Sequence, residues 1–240
     1  MDRTQRAVAT GEGAIALSGA LEGAGWSLAG IAASAGAALA LLRDRQPDLM
    51  LLDAVLPGMD GVALARRIRG MALNVQPAIL LLRPRGLRLP GEDGLIDFGA
   101  TALATPAGAG ELAQALEAAR ALPIPLPPDK AARLEALMDA LGIPDHPGRA
   151  CLRRAVALAW ADRRLVGALR RRLYPAAARE AGLRPEQCER AIRHVIDRAF
   201  RTGEIEQQHK IFGDTIDARR GKPTSGEMIA QLAEELRWEG

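Results

Sequence analysis

Two places in this 240-residue sequence carry residue types at spacings that could do chemistry. The first is Asp48-Leu-Met-Leu-Leu-Asp53, followed by Ala-Val-Leu-Pro57-Gly-Met-Asp60-Gly61. An apolar run ending in a carboxylate reads as a strand of a parallel sheet covered on both faces, and ligands bind such sheets at the strands' carboxyl ends. The second is Pro185 to Thr202, where Cys188, Ala191, Ile192 and Val195 recur at helical spacing. The opposite face collects Gln187, Glu189, Arg190, Arg193 and His194. These types can read base edges: Arg bridges guanine O6 and N7, Gln bridges adenine N6 and N7, and Glu accepts from cytosine N4. Ala178 and Gly182 just upstream supply a small contact residue and a turn residue tolerant of positive φ, so the segment reads as a helix-turn-helix. An ordinary α-hairpin with a charged exposed face has the same pattern.

The elements that must position these residues fall into two halves. Ala121-Leu-Pro-Ile-Pro-Leu-Pro-Pro-Asp-Lys130 places four prolines in ten residues and reads as an extended, semi-rigid linker. We expect domains at 1–121 and 131–240 with the linker at 122–130. Before it, strands are expected near Arg6–Thr10, Trp26–Ala32, Asp48–Leu52, Ala78–Leu82 and Thr101–Ala104. Helices are expected near Ala14–Glu22, Gly36–Arg45, Val62–Gly70 and Gly110–Ala121. This alternation predicts an α/β fold, a flavodoxin-like parallel five-stranded sheet. A fourth helix is disfavoured by Pro90, Gly91 and Gly94. After the linker, six helices are expected near Lys130–Leu141, Arg149–Trp160, Arg164–Leu173, Pro175–Ala181, Pro185–Thr202 and Ser225–Leu236, making an all-α domain.

Charge separates the halves further. Residues 1–122 carry 11 basic and 12 acidic side chains, and residues 123–240 carry 21 and 17. Between Arg149 and Arg201 stand 14 arginines and five acids. Such a block fits a polyanionic partner, or a solvated face in a protein that favours Arg throughout. Cys151 and Cys188 make neither a disulfide framework nor a zinc site, and no metal site is expected. No apolar stretch reaches the ~20 residues of a membrane span, and Met1-Asp2-Arg3 does not begin a signal peptide. The expected location is the cytoplasm. His146 and His209 read as loop and solvated residues.

The segment from Asp48 to Gly61 resembles the phosphoacceptor region of response-regulator receiver domains. That resemblance makes Asp53 the phosphoacceptor position. Phosphorylating a carboxylate requires a divalent cation, Mg²⁺ in this family. Receivers hold it with an acidic pair after the first strand, where this chain has Thr10 and Gly11 with only Glu12 nearby. Their Ser/Thr after the fourth strand and Lys after the fifth are replaced by Arg83 and Thr105. A lone carboxylate makes a poor Mg²⁺ site. The expectation is a degenerate receiver in which Asp53 is not usefully phosphorylated and Arg83 pairs with it in place of the metal.

The second half resembles the effector domain of the stage zero sporulation protein A family. The resemblance runs through Leu141-Gly-Ile-Pro144, Leu173-Tyr-Pro175, Glu189-Arg-Ala-Ile-Arg-His194, Ile211-Phe-Gly213 with Thr215, and Lys222-Pro-Thr224. It implies sequence-specific binding to double-stranded DNA, activating or repressing promoters. Glu189, Arg190, Arg193 and His194 would face bases and phosphates. Gln187 stands where the family usually has Arg, which puts one base of the preferred site in question. The resemblance also implies an RNA polymerase sigma-factor surface at 203–213, carried by Gly203, Ile205, Gln207 and His209, and a homodimer on DNA. No catalysis and no cofactor beyond the family's Mg²⁺ are expected. Two alternatives remain open: a module that pairs with an intact paralogue, and a regulator still switched at Asp53 with Glu12 helping to hold a metal.

Overall fold

The computed structural model describes residues 5–203, 205–213 and 220–238. The chain divides into two compact units, 1–125 and 126–240, so the boundary falls inside the proline-rich stretch.

In the first unit β1 (Gln5–Thr10), β2 (Trp26–Ala32), β3 (Leu49–Asp53), β4 (Ala78–Pro84) and β5 (Ala100–Thr105) form one sheet in the order β2-β1-β3-β4-β5. Every pairing is parallel. The unbroken apolar run in β3 follows from this geometry, because successive side chains serve opposite faces. Met50 and Leu52 pack with Leu39 and Leu42 of α3 (Ala35–Arg45) and with Ala65 and Ile68 of α4 (Gly61–Gly70). Leu49 and Leu51 pack with Ala14 of α1 (Gly11–Ala16), Leu21 of α2 (Ser18–Gly23), and Leu112 and Leu116 of α5 (Ala109–Ala121).

Two differences from the sequence expectation bear on the site. The helix expected from Ala14 is two short helices, and the first begins at Gly11 directly off β1. The disfavoured fourth helix is replaced by 3-10 turns at Glu92–Gly94 and Ile96–Phe98. Those turns leave carbonyls without helical partners, and Arg69 serves two of them. Its guanidinium, only 3% exposed, donates to Phe98 O at 2.8 Å, Gly99 O at 2.8 Å and Pro77 O at 2.7 Å. Burial lowers its pKa to about 10, yet it remains charged and multiply hydrogen-bonded at neutral pH.

The second unit is helical: α6 (Pro128–Ala140), α7 (Pro147–Ala161), α8 (Tyr174–Glu180), α9 (Pro185–Thr202), α10 (Ile205–Phe212) and α11 (Ser225–Glu235). The helix α6 takes the last residues expected in the linker. The helix expected over 164–173 is instead a 3-10 stretch, Arg163–Ala168, followed by a π turn, Leu169–Leu173. The Asp162 carboxylate accepts from Arg164 N–H at 2.9 Å and closes the tight turn. Pro175 has no N–H for a regular helical bond, so the chain enters α8 through the wider turn. An unanticipated helix, α10, occupies the 205–212 segment. The core is built around α7, which packs on α8, α9 and α11 and buries Leu152, Val156 and Trp160.

Candidate functional sites

Asp53 ends β3, and its surroundings are made by the chain leaving β1. Thr10 is fully buried, and its hydroxyl accepts the Asp53 N–H at 2.7 Å and makes no cap bond to α1. Gly11 then turns at φ +70°. A Cβ there would lie 1.8 Å from Asp53 Oδ2, and one at Gly13 would lie 2.8 Å from Oδ1. Only glycine allows the main chain this close to the carboxylate. Burial raises the Asp53 pKa, the hydrogen bond from the Gly13 N–H opposes that, and the charge of Glu12 raises it further. On the other side Gly61 turns tightly over the end of β3, where a Cβ would meet Asp53 O at 2.4 Å, and Asp60 caps α4 by accepting Ala63 N–H at 2.7 Å.

The expected Arg83–Asp53 pair is not formed. Arg83 Nε lies 2.7 Å from Glu92 Oε1, and its Nη1 donates to Leu87 O at 3.1 Å. The other Glu92 oxygen accepts Leu89 N–H at 3.0 Å, so this carboxylate closes the loop after β4 and captures the arginine. Thr105 turns its hydroxyl to Arg83 O at 3.2 Å. Sequence reasoning missed Glu92 because it lies in a loop whose path only the tertiary fold defines.

These residues do not fit a divalent ion. Mg²⁺ needs near-octahedral oxygen ligation, and here the carboxylate meets glycine main chain while Glu12 is exposed. No group of three or more His, Cys, Asp or Glu capable of holding a metal occurs among the described residues.

In the second unit, α8 ends in a Schellman turn. Gly182 takes φ +63° and donates its N–H to Arg179 O at 3.3 Å, and Leu183 N–H reaches Ala178 O at 3.0 Å. The small residue Ala178 and the left-handed glycine therefore act as their spacing predicted. Pro185 opens α9, which buries Cys188, Ile192, Val195, Ile196 and Ala199. Cys188 touches Cys151 of α7, and burial pushes its thiol up to about 12, so Cys188 behaves as an apolar packing group, and Cys151 is buried beside it. The helix α7 approaches most closely at Gly148, where a Cβ would meet Ala191 O at 2.2 Å.

The outward face presents Gln187, Arg190, Arg193 and His194, all exposed. Arg190 and Arg193 have no carboxylate partner among the described residues. Gln187 Oε1 accepts Arg184 N–H at 2.9 Å, which ties up the acceptor a bidentate adenine contact would use. Glu189 is half-buried and lies 3.7 Å from Arg170. His194 sits beside His146, ring centroids 5.0 Å apart. His146 is more than a loop residue: its Nδ1 accepts Gly148 N–H at 3.1 Å and caps α7.

The Arg-rich block is only partly available to a partner. Arg149 is held by Glu135 at 2.8 Å and Asp139 at 2.7 Å, Arg153 also pairs with Glu135, and Arg164 is held by Asp162 at 2.9 Å. In the 203–213 segment, Gly203 packs inward, since a Cβ would meet Ala199 O at 2.6 Å, whereas His209 is exposed and Gln207 half-buried. Of Ile205 only the backbone, in α10, is described, and Glu204 and Thr215 lie outside the described residues. Gln208, not anticipated, is buried and donates to Ala199 O at 3.1 Å at the end of α9.

Comparison with family models matches residues 134–236 to the family described as Sporulation initiation factor Spo0A C terminal. Residues 14–82 match the Response regulator receiver domain. The receiver match begins just after Thr10–Gly13 and stops just before Arg83. Among solved structures, a putative response regulator from Chloroflexus aurantiacus J-10-fl is 28% identical, over 50% of this chain and 99% of that one, with a TM-score of 0.44. The signal receiver domain of the putative response regulator NarL from Mycobacterium tuberculosis is 26% identical over 49% and 98%, TM-score 0.41. A CheY-like receiver domain from Methylobacillus flagellatus is 20% identical over 48% and 98%, TM-score 0.43.

Proposed function

With a receiver followed by a Spo0A C-terminal domain, the chain matches a Spo0A-family response regulator, and we propose that it binds specific double-stranded DNA through α9 without phosphorylation of Asp53. The observation that carries the second part is the glycine main chain of residues 11–13 lying against the Asp53 carboxylate. A phosphoryl donor and its metal would have to displace that chain. The Arg83–Glu92 pair supports the same reading, because the position that would report on a phosphoryl group is bound to a loop.

For DNA, α9 lies in the major groove with Arg190, Arg193 and His194 toward the bases and backbone. Gln187 contributes less than a bidentate arginine would, so the preferred box differs from the family's at the base this position reads. Glu189 reads a base only when it turns away from Arg170. Promoters are activated or repressed by binding rather than by catalysis. Contact with a sigma factor uses α10 and its exposed His209, and the protein binds as a homodimer in the cytoplasm. No helix among the described residues is long and apolar enough to cross a membrane.

The experiment is binding of the unphosphorylated full-length protein to a duplex carrying the family box and to a scrambled duplex. It is paired with intact-mass measurement after Mg²⁺ and acetyl phosphate. Specific binding without a mass gain is expected, and Arg190→Ala should cost about 1–3 kcal/mol of discrimination. Stoichiometric phosphorylation that switches binding on refutes phosphorylation independence. Equal affinity for the two duplexes removes the proposed box specificity.

A further inference from the structure

The loop before α7 carries a histidine that capping alone does not explain. Ser, Thr, Asp and Asn are the favoured helix caps, and an Asn side chain would accept the Gly148 N–H as His146 Nδ1 does. What the imidazole adds is a ring. That ring meets the His194 ring of α9 at 5.0 Å between centroids, with the planes tilted by 43°. The separation lies inside the range of paired aromatic rings.

Three features deliver the ring to that place. Pro144 and Pro147 stand on either side of His146 and restrict the loop's φ angles, and Pro147 opens α7. Gly148 then lets the first turn of α7 come against α9, where a Cβ would lie 2.2 Å from Ala191 O and 2.7 Å from Val195 Cγ1. Ala191 and Val195 are neighbours of His194 along that helix. Finally, the cap bond orients the imidazole: an accepting Nδ1 carries no proton, so the ring facing His194 is neutral. The His194 side chain is exposed and makes no hydrogen bond among the described residues. Ring contact therefore restrains it while leaving both of its nitrogens open.

We propose that His146 is a positioning residue for DNA recognition, its ring holding His194 in one rotamer on the outward face of α9 before DNA binds. This rests on α9 being the DNA-reading helix. A side chain that is free in the unbound protein must be ordered in the complex, and that ordering lowers affinity by about 2–10-fold. His146 meets much of this cost in advance, and it acts only through His194.

Two substitutions separate the ring from the cap. His146→Asn keeps the cap acceptor and removes the ring, whereas His146→Phe keeps a ring and removes the acceptor. Each full-length variant is measured for melting, for affinity to the box duplex below its transition, and for the three-bond couplings about χ1 of His194 by NMR. His146→Asn should melt like wild type, average the His194 rotamers and bind about 2–10-fold more weakly. His146→Phe should melt lower yet keep one His194 rotamer and most of the affinity. In a His194→Ala background His146→Asn should cost nothing further, because the two changes remove one interaction. If His146→Asn binds like wild type, or loses the same factor without His194, the proposal is overturned. His194→Ala that binds like wild type also overturns it, since no contact is left to position. Arg190→Ala then distinguishes the failures: weaker binding keeps α9 as the reading helix, and unchanged binding removes it.

Discussion

Returning a carboxylate to the end of β1 by Gly11→Asp should destabilise the receiver rather than rebuild an ion site. Gly11 holds φ +70°, and a side chain in the left-handed region costs about 1–2 kcal/mol. Its Cβ would start 1.8 Å from Asp53 Oδ2, so the turn has to move. Once it has moved, two carboxylates stand roughly 4–5 Å apart, and at an effective dielectric of ~20 their repulsion is about 3–4 kcal/mol. The sum, about 4–6 kcal/mol, rivals the whole stability of many domains. At roughly 3 °C per kcal/mol the receiver should melt about 10–20 °C lower. Differential scanning calorimetry with and without millimolar Mg²⁺ reads this directly, and Mg²⁺ should not restore the transition. If Gly11→Asp melts within a few degrees of wild type and gains a phosphoryl group from acetyl phosphate, the reasoning about the glycine turn is wrong.

Three further outcomes are expected. Asp53→Asn keeps an acceptor for Gly13 N–H and removes a charge whose folded pKa is raised. The penalty on that charge is present above the folded pKa and vanishes below the unfolded value of 3.8, so the variant should raise Tm at pH 7 and lose that advantage below pH 3.8. A double-mutant cycle of Arg83→Ala and Glu92→Ala should show coupling of about 0.5–2 kcal/mol in chemical denaturation, whereas Arg83→Ala with Asp53→Ala should be additive. His146→Asn retains a side-chain acceptor for the α7 N-terminus and should melt like wild type, while His146→Ala should lose about 1 kcal/mol, read by circular dichroism.

Short-range pattern makes much of this molecule legible in its sequence. The β3 run and its terminal Asp53 announced a strand whose end faces a crevice, and the strands lie within a residue or two of expectation. Pro90, Gly91 and Gly94 correctly spoke against a regular fourth helix. Ala178, Gly182 and Pro185 set the end of α8, the turn and the start of α9, because backbone conformation at those positions depends on the residues themselves. The stretch over 164–173 reads as one helix because its composition is helical, while Asp162 and Pro175 at its ends impose the bonding pattern.

Sequence by itself determined which backbone each segment adopts and which side chains stand at the crevice and on the outer face of α9. Those choices rest on propensity, periodicity and turn chemistry, all set within a few residues. Tertiary structure alone decided what each polar group meets: Arg83 with Glu92 rather than Asp53, glycine main chain against the Asp53 carboxylate, and Gln187 bonded back to Arg184. It also paired Arg170 with Glu189 and Lys222 with Asp197 along α9. A guanidinium reaches several ångströms in any direction, and its partner is whichever carboxylate the converging loops bring within hydrogen-bond distance. That convergence is a property of the packed fold and has no signature in spacing along the chain.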